Sequence, residues 1–327
     1  MTNLALERFI GPINDLQQIL TKGRNQKEKG KSLYRNKGRD VLFRLEALCR
    51  VYREINDKKF FDTWYKKFKL LEDVLGEMDF NDAMHQEFSK YKELQKHSAK
   101  VFLSRFEEEA NFLTETIQSG GWQNGSPLAE FNDGLQKVQW KTDEEDRAAF
   151  GLVMCQELDK LVSKYREGEL DMFRLEEGIH EFRRKLRWVS IYAQAANGLV
   201  QLRAEKHIPE EVRKYCTSEV VESPFNVLAK NKAIKNPIYI QSHHFYAMSW
   251  MIKKLSVLKD DGFRFEMFKH LCESAGLRDK KLTEKFLKTC EINPDTISAT
   301  ADEIADRFIY VDIIPERIRR DIKRSLV

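Results

Sequence analysis

Apolar residues recur at three- and four-residue intervals through most of this chain, and they seldom alternate. That period belongs to amphipathic helices rather than half-buried strands. The spacing predicts a first helix over about Leu4–Leu20, bent near Gly11-Pro12, and a long second helix over about Lys31–Ile55. Leu33, Tyr34, Val41, Leu45, Leu48 and Tyr52 form the apolar face of the second, and Asn56-Asp57 ends it. An aromatic-rich helix follows over Phe60–Leu75, carrying Phe60, Phe61, Trp64, Tyr65 and Phe68. Asp79 or Asn81 would cap the next, and a helix ends near Gln118. The run from Ser119 through Gly120, Gly121 and Gly125 to Pro127 is the clearest break.

A second series starts at Thr142, three residues before Glu145, the spacing of a capping box, and runs to about Arg166. Another helix is expected over about Asp171–Lys206. Residues 209–237 are polar and read as a surface insertion around a short helix. Ser242 would cap a helix reaching Leu255, Gly262 would open the next, and Pro315 suits the first turn of the last. Both halves follow one order: a helix, a long basic helix, an aromatic helix and a closing helix. The segment Leu71–Met78 falls in register with Met251–Leu258. The expectation is an all-α fold with two four-helix bundles from a duplicated unit. Residues 1–120 would form the first half, 121–141 a linker and 142–327 the second half, with an insertion near 209–240.

Composition agrees. The 327 residues include only 15 glycines and 7 prolines, which favours long helices. No apolar run reaches about 18 residues, so no membrane contact is expected. The N-terminus lacks a basic segment followed by an apolar one, which argues against a secretory signal. The five cysteines are scattered without a Cys-x-x-Cys pair, so neither a disulfide framework nor a zinc site is expected, and the cytoplasm is the expected compartment.

The net charge of +4 matters less than its arrangement. Between Lys22 and Arg39 there are eight basic residues and one acid, Glu28. Lys27, Lys31, Arg35 and Arg39 recur every fourth residue, which on one continuous helix would align them. His180, Arg183, Arg184 and Arg187 stand at i, i+3, i+4 and i+7, the spacing normally held by core residues. Rows of like charge weaken a helix unless an anion offsets their repulsion.

These residues resemble the CHAD family, named for a conserved histidine α-helical domain. Its second-half signature is roughly H-x-x-R-[KR]-x-x-[KR], which His180, Arg183, Arg184 and Arg187 match in order and spacing. In the first half, Asn36-x-x-Arg39 stands where the signature starts. Arg44-Leu45-x-Ala47-Leu48-x-Arg50-Val51-Tyr52-Arg53 is similar to its tail, and Lys69 and Leu75-Gly76 match the helix after it. The departures are Asn36 for the first histidine, Phe43 and Glu46 at basic positions, Phe80 for an aspartate, and Ser190 for an arginine.

The resemblance spans most of the chain. It implies two bundles facing each other around a basic groove, and non-catalytic binding of inorganic polyphosphate without a cofactor. On that basis the contacts would come from Lys27, Lys31, Arg35, Arg39, Arg44, Arg50, Lys69, His180, Arg183, Arg184 and Arg187, with Lys253 and Lys254 from the matching helix of the second half. The partner would be polyphosphate or another polyanion. A homodimer and association with polyphosphate granules are compatible with it.

Arginine suits phosphate because its guanidinium donates paired hydrogen bonds and stays charged. A neutral histidine adds one donor. The same cations would serve a nucleic-acid or phosphoprotein binding module. A metal-dependent or phosphate-ester-hydrolysing enzyme ranks lowest: Glu177-x-x-His180 fits one half of a di-iron carboxylate motif, but no second copy exists. The bland alternative for the His180 stripe is a solvated face paired to acids such as Glu176 and Glu177. His243-His244 reads as a cap or surface pair rather than a metal centre, and the basic C-terminal helix as a solvated face.

Overall fold

Leu4 to Lys22 form helix α1, whose buried face is Ala5, Phe9, Ile13, Leu16 and Leu20. The computed structural model describes residues 3–22, 28–205, 207–277 and 280–327, and these are predominantly helical. They form two compact units. One comprises Met1–Asp143 with Met267–Arg278; the other comprises Glu144–Glu266 with Asp279–Val327.

In the first unit the basic segment is broken in two. α2 spans Lys29–Arg35 and α3 spans Gly38–Ile55. Lys37 turns left-handed at φ 58°, and Gly38 lies directly under Leu33, where a Cβ would come within 2.3 Å of Leu33 Cδ1. A single helix over 31–55 was expected, and this break cuts its row of cations between Arg35 and Arg39.

α4 (Lys58–Phe88) opens with the Asp57 side chain accepting from the Phe60 N–H at 3.0 Å. It then runs without interruption past Leu75-Gly76 and Asp79, where an end and a new cap were expected. Gly76 is a contact, not a terminator: the Arg39 guanidinium lies where its Cβ would be, with Nη2 at 2.8 Å. α5 (Gln95–Ser98), a π-helical turn (Ala99–Leu103) and α6 (Ser104–Ser119) follow.

The expected linker also differs. After left-handed Gly121 and Gly125, α7 (Ser126–Lys137) starts with Pro127 in its first turn and buries Leu128, Phe131 and Leu135. Phe131 lies 5.7 Å from Phe9 and 4.8 Å from Trp64, ring to ring, and Trp140 lies 5.2 Å from Tyr52. This segment supplies aromatic surface to the core of the first unit, so it is not a tether.

The second unit begins with α8 (Asp143–Arg166), next to the capping box that the pattern predicts. A π-helical turn (Leu175–His180) leads into α9 (Glu181–Ala195). The helix expected to reach Lys206 ends there, because Asn197 and Gly198 take left-handed conformations at φ 47° and 89°. β1 (Val200–Arg203) then pairs in parallel with β2 (Ile238–Gln241), with Val200 opposite Ile238 and Leu202 opposite Ile240. Parallel strands need a long crossover, and the polar insertion is that crossover, carrying α10 (Glu210–Arg213) and α11 (Ser218–Val221).

α12 (Ser242–Ser274), whose residues from Met267 onward belong to the first unit, is continuous through Gly262, where a new helix was expected. Leu175 packs on that glycine; an added Cβ would meet Leu175 Cδ1 at 2.8 Å. α13 (Lys280–Cys290), α14 (Pro294–Asp306), a further π-helical turn (Arg307–Val311) and α15 (Ile314–Leu326) complete the unit. α15 packs Ile314, Ile318 and Ile322 inward and contacts β2. No described helix is long and apolar enough to cross a membrane.

Candidate anion-binding site

The His180 stripe is built by a change of helical register. Ile179 N–H donates to Arg174 O at 3.1 Å, five residues back, and Gly178 lies against the Asp171 carbonyl where no Cβ could fit. Ile179, Phe182, Leu186 and Val189 then face the core, each at most 1% exposed. Helical geometry sends His180, Arg183, Arg184 and Arg187 to the other side. Arg183 and Arg187 are half-buried, and Arg184 is exposed.

α12 contributes to the same surface. The Phe263 ring centre is 6.5 Å from that of His180, and Lys259 sits above Phe263 at 5.6 Å. Burial first, then the positive charges of Lys259, Arg183 and Arg184, push His180 down to about 4. The imidazole is therefore neutral at physiological pH. Its Nδ1 is buried without a hydrogen-bond partner, with Glu176 Oε2 at 3.4 Å. Burial alone would raise Glu181, but the hydrogen bonds and charges of Arg184 and Lys185 outweigh it and hold this carboxyl below its ordinary value. Arg184 Nη2 is 2.7 Å and Lys185 Nζ 3.2 Å from it. Lys259 was not among the expected contacts. It lies 79 positions from His180, and no periodicity links the two helices.

The first-unit cations behave differently. Lys31 pairs with Glu107 on α6 at 2.6 Å. Arg39 pairs with Glu72 at 2.7 Å and Asp79 at 3.0 Å on α4, and Arg44 with Asp15 on α1 at 2.9 Å. Lys69 bonds Asp73 within α4. Arg50 lies 5.9 Å over the Tyr65 ring, Arg35 is exposed, and Lys27 falls outside the described residues. Three of these cations therefore join helices to one another. In the second unit Lys253 pairs with Glu219, and Lys254 lies 5.8 Å over Trp250.

Glu46, at a position where the resemblance implies a base, is 1% exposed with Oε1 unpaired. Burial foremost, then the neighbouring Glu72 carboxylate, push it up to about 9, so it is protonated at neutral pH. His243 and His244 are buried rather than superficial, and His244 Nδ1 meets Asp321 Oδ2 at 2.7 Å. Glu177 of the half di-iron motif accepts from Arg174 at 2.7 Å. No group of three or more potential metal-ligating His, Cys, Asp or Glu side chains occurs among the described residues.

Comparison of the chain with protein-family models, with curated proteins and with solved structures finds no match.

Proposed function

We propose that the chain binds a phosphate-rich polyanion, inorganic polyphosphate foremost, without catalysis, and that the His180 face of the second unit is the contact. The observation that carries this reading is the gathering of cations about one imidazole: burial foremost, then Lys259, Arg183 and Arg184, keep His180 uncharged. The positive charges among these causes also favour a bound anion, whereas burial favours no charge of either sign. Arg183, Arg184 and Arg187 would grip phosphate oxygens through guanidinium forks, Lys259 would add a point charge, and His180 would donate a hydrogen bond. The likeness to the CHAD signature supports the choice of polyphosphate, and the duplicated four-helix arrangement belongs to the same proposal.

The first unit has a smaller place in this reading than the resemblance alone implies, because Lys31, Arg39 and Arg44 already hold carboxylates on other helices. The test is titration with polyphosphates of defined length, and with single-stranded RNA of equal charge, at several salt concentrations. Affinity is expected to fall with salt at a log–log slope of about −0.7 per phosphate neutralised, by analogy with single-stranded nucleic acid. Arg183→Glu with Arg187→Glu should abolish binding while circular dichroism stays near wild type. Unchanged affinity would remove this face from the site, and shortening of the polyphosphate would contradict a non-catalytic role.

A further inference from the structure

Three cations of the His180 face, Arg184, Lys185 and Lys259, carry carboxylate partners of a particular kind, and the neutral His180 has a carboxylate beside it. Glu181 holds Arg184 at 2.7 Å and Lys185 at 3.2 Å, Glu176 stands 3.4 Å from His180, and Asp260 is 2.8 Å from Lys259. Every one of these carboxylates lies within four residues of the side chain it faces. In the first unit, by contrast, Lys31–Glu107, Arg39–Glu72 and Arg44–Asp15 each connect two helices. Breaking a pair of that second kind loosens helix packing. Breaking a pair within one helix turn costs little and leaves the helix in place. Glu181, Glu176 and Asp260 are thus placed to be exchanged.

Building on the binding reading above, we propose that Glu176 and Glu181 are resident counter-ions of the anion site, and that their displacement makes the site select densely charged chains over sparsely charged ones. An anion whose charges are far apart replaces one carboxylate with one phosphate, ion pair for ion pair, and gains little. A polyphosphate has no sugar or base between its charges. It brings several into the space that Glu176 and Glu181 occupy, and so meets the Arg184, Lys185 and Lys259 charges together. Glu181 reaches two cations at once, so its release frees both for a single incoming chain. Glu176 is placed beside His180, and its departure leaves the buried Nδ1 for a phosphate oxygen.

The test compares the wild-type chain with Glu176→Gln/Glu181→Gln. Each is titrated at fixed ionic strength with polyphosphate of defined length and with a single-stranded oligonucleotide of equal charge. A control, Glu108→Gln/Glu115→Gln on exposed positions of α6, changes the net charge by the same amount. The Glu176/Glu181 variant should bind polyphosphate about three- to tenfold tighter, the equivalent of two exposed ion pairs. It should gain more toward the oligonucleotide, so that the preference narrows. The control should shift both by less than twofold. Affinities within twofold of wild type, an equal gain in the control, or an unchanged preference would overturn the inference. If Arg183→Glu/Arg187→Glu abolishes binding while Glu176→Gln/Glu181→Gln has no effect, the counter-ion role fails and the site stands. If Arg183→Glu/Arg187→Glu binds as wild type does, the site and the counter-ion role fail together.

Discussion

Replacing Glu46 by glutamine should stabilise the first unit, and by more as the pH rises. Glu46 lies on α3 at 1% exposure with Oε1 unpaired, and Glu72 is its main charged neighbour. Its folded value is about 9 against an ordinary 4.5. Folding must therefore keep a proton that the unfolded chain releases, and stability falls as pH climbs between those values. The contribution is intact below about pH 4.5 and lost progressively toward about pH 9. At about 1.4 kcal/mol per pH unit, the accumulated loss at pH 7 is about 3 kcal/mol. Glutamine keeps the shape and carries no proton to lose, although its buried amide needs a partner at a cost of about 1 kcal/mol. Glu46→Gln should therefore gain about 2 kcal/mol at pH 7. The gap to wild type should widen by about 3 kcal/mol between pH 5.5 and 8. Hydrogen exchange of α3 amides, measured through urea titrations at both pH values, reads this directly. A gap of the same size at both pH values would refute the buried, protonated carboxyl.

Three further substitutions test the local structure. Gly178→Ala would place a methyl group 1.6 Å from the Asp171 carbonyl oxygen; it should cost about 3 kcal/mol in urea unfolding of the second unit and weaken polyanion binding with it. Lys37→Gly relieves a left-handed residue at φ 58° and should raise stability by about 0.5 kcal/mol, whereas Lys37→Ala should not. Phe131→Ala removes a fully buried ring packed on Phe9, Phe60, Trp64 and Phe68; it should cost about 3–5 kcal/mol in denaturant unfolding, where a true linker residue would cost nothing measurable.

Helical period made the fold class legible, because Phe9, Leu45, Leu48, Phe61 and Phe68 fall where a buried helix face requires them. It was a poorer guide to where helices end. The pattern places a helix end at Leu75 and a helix start at Gly262, yet Gly76 and Gly262 are mid-helix positions over which Arg39 and Leu175 pass. Only a knowledge of the neighbouring helix distinguishes such a contact from a cap. The β1 strand escaped notice because four residues, Val200–Arg203, are too few to separate a period of two from one of 3.6. At the site, the stripe from His180 to Arg187 was visible because its spacing is local. Whether a cation is neutralised was not, since Lys31 finds Glu107 76 positions away and Arg44 finds Asp15 29 positions away. Lys259 escaped for the same reason.

The most direct measurement is the titration of the His180 imidazole by NMR, assigned with His180→Gln, in the free protein and with polyphosphate bound. In the free protein the midpoint should lie near 4, below the ordinary 6.5, because of burial and the cations of α9 and α12. Bound phosphate offsets those cations and favours the imidazolium, so the midpoint should move up by at least one pH unit. A midpoint that stays near 4 with polyphosphate bound would place the ligand elsewhere. An ordinary midpoint in the free protein would contradict the cationic surroundings themselves.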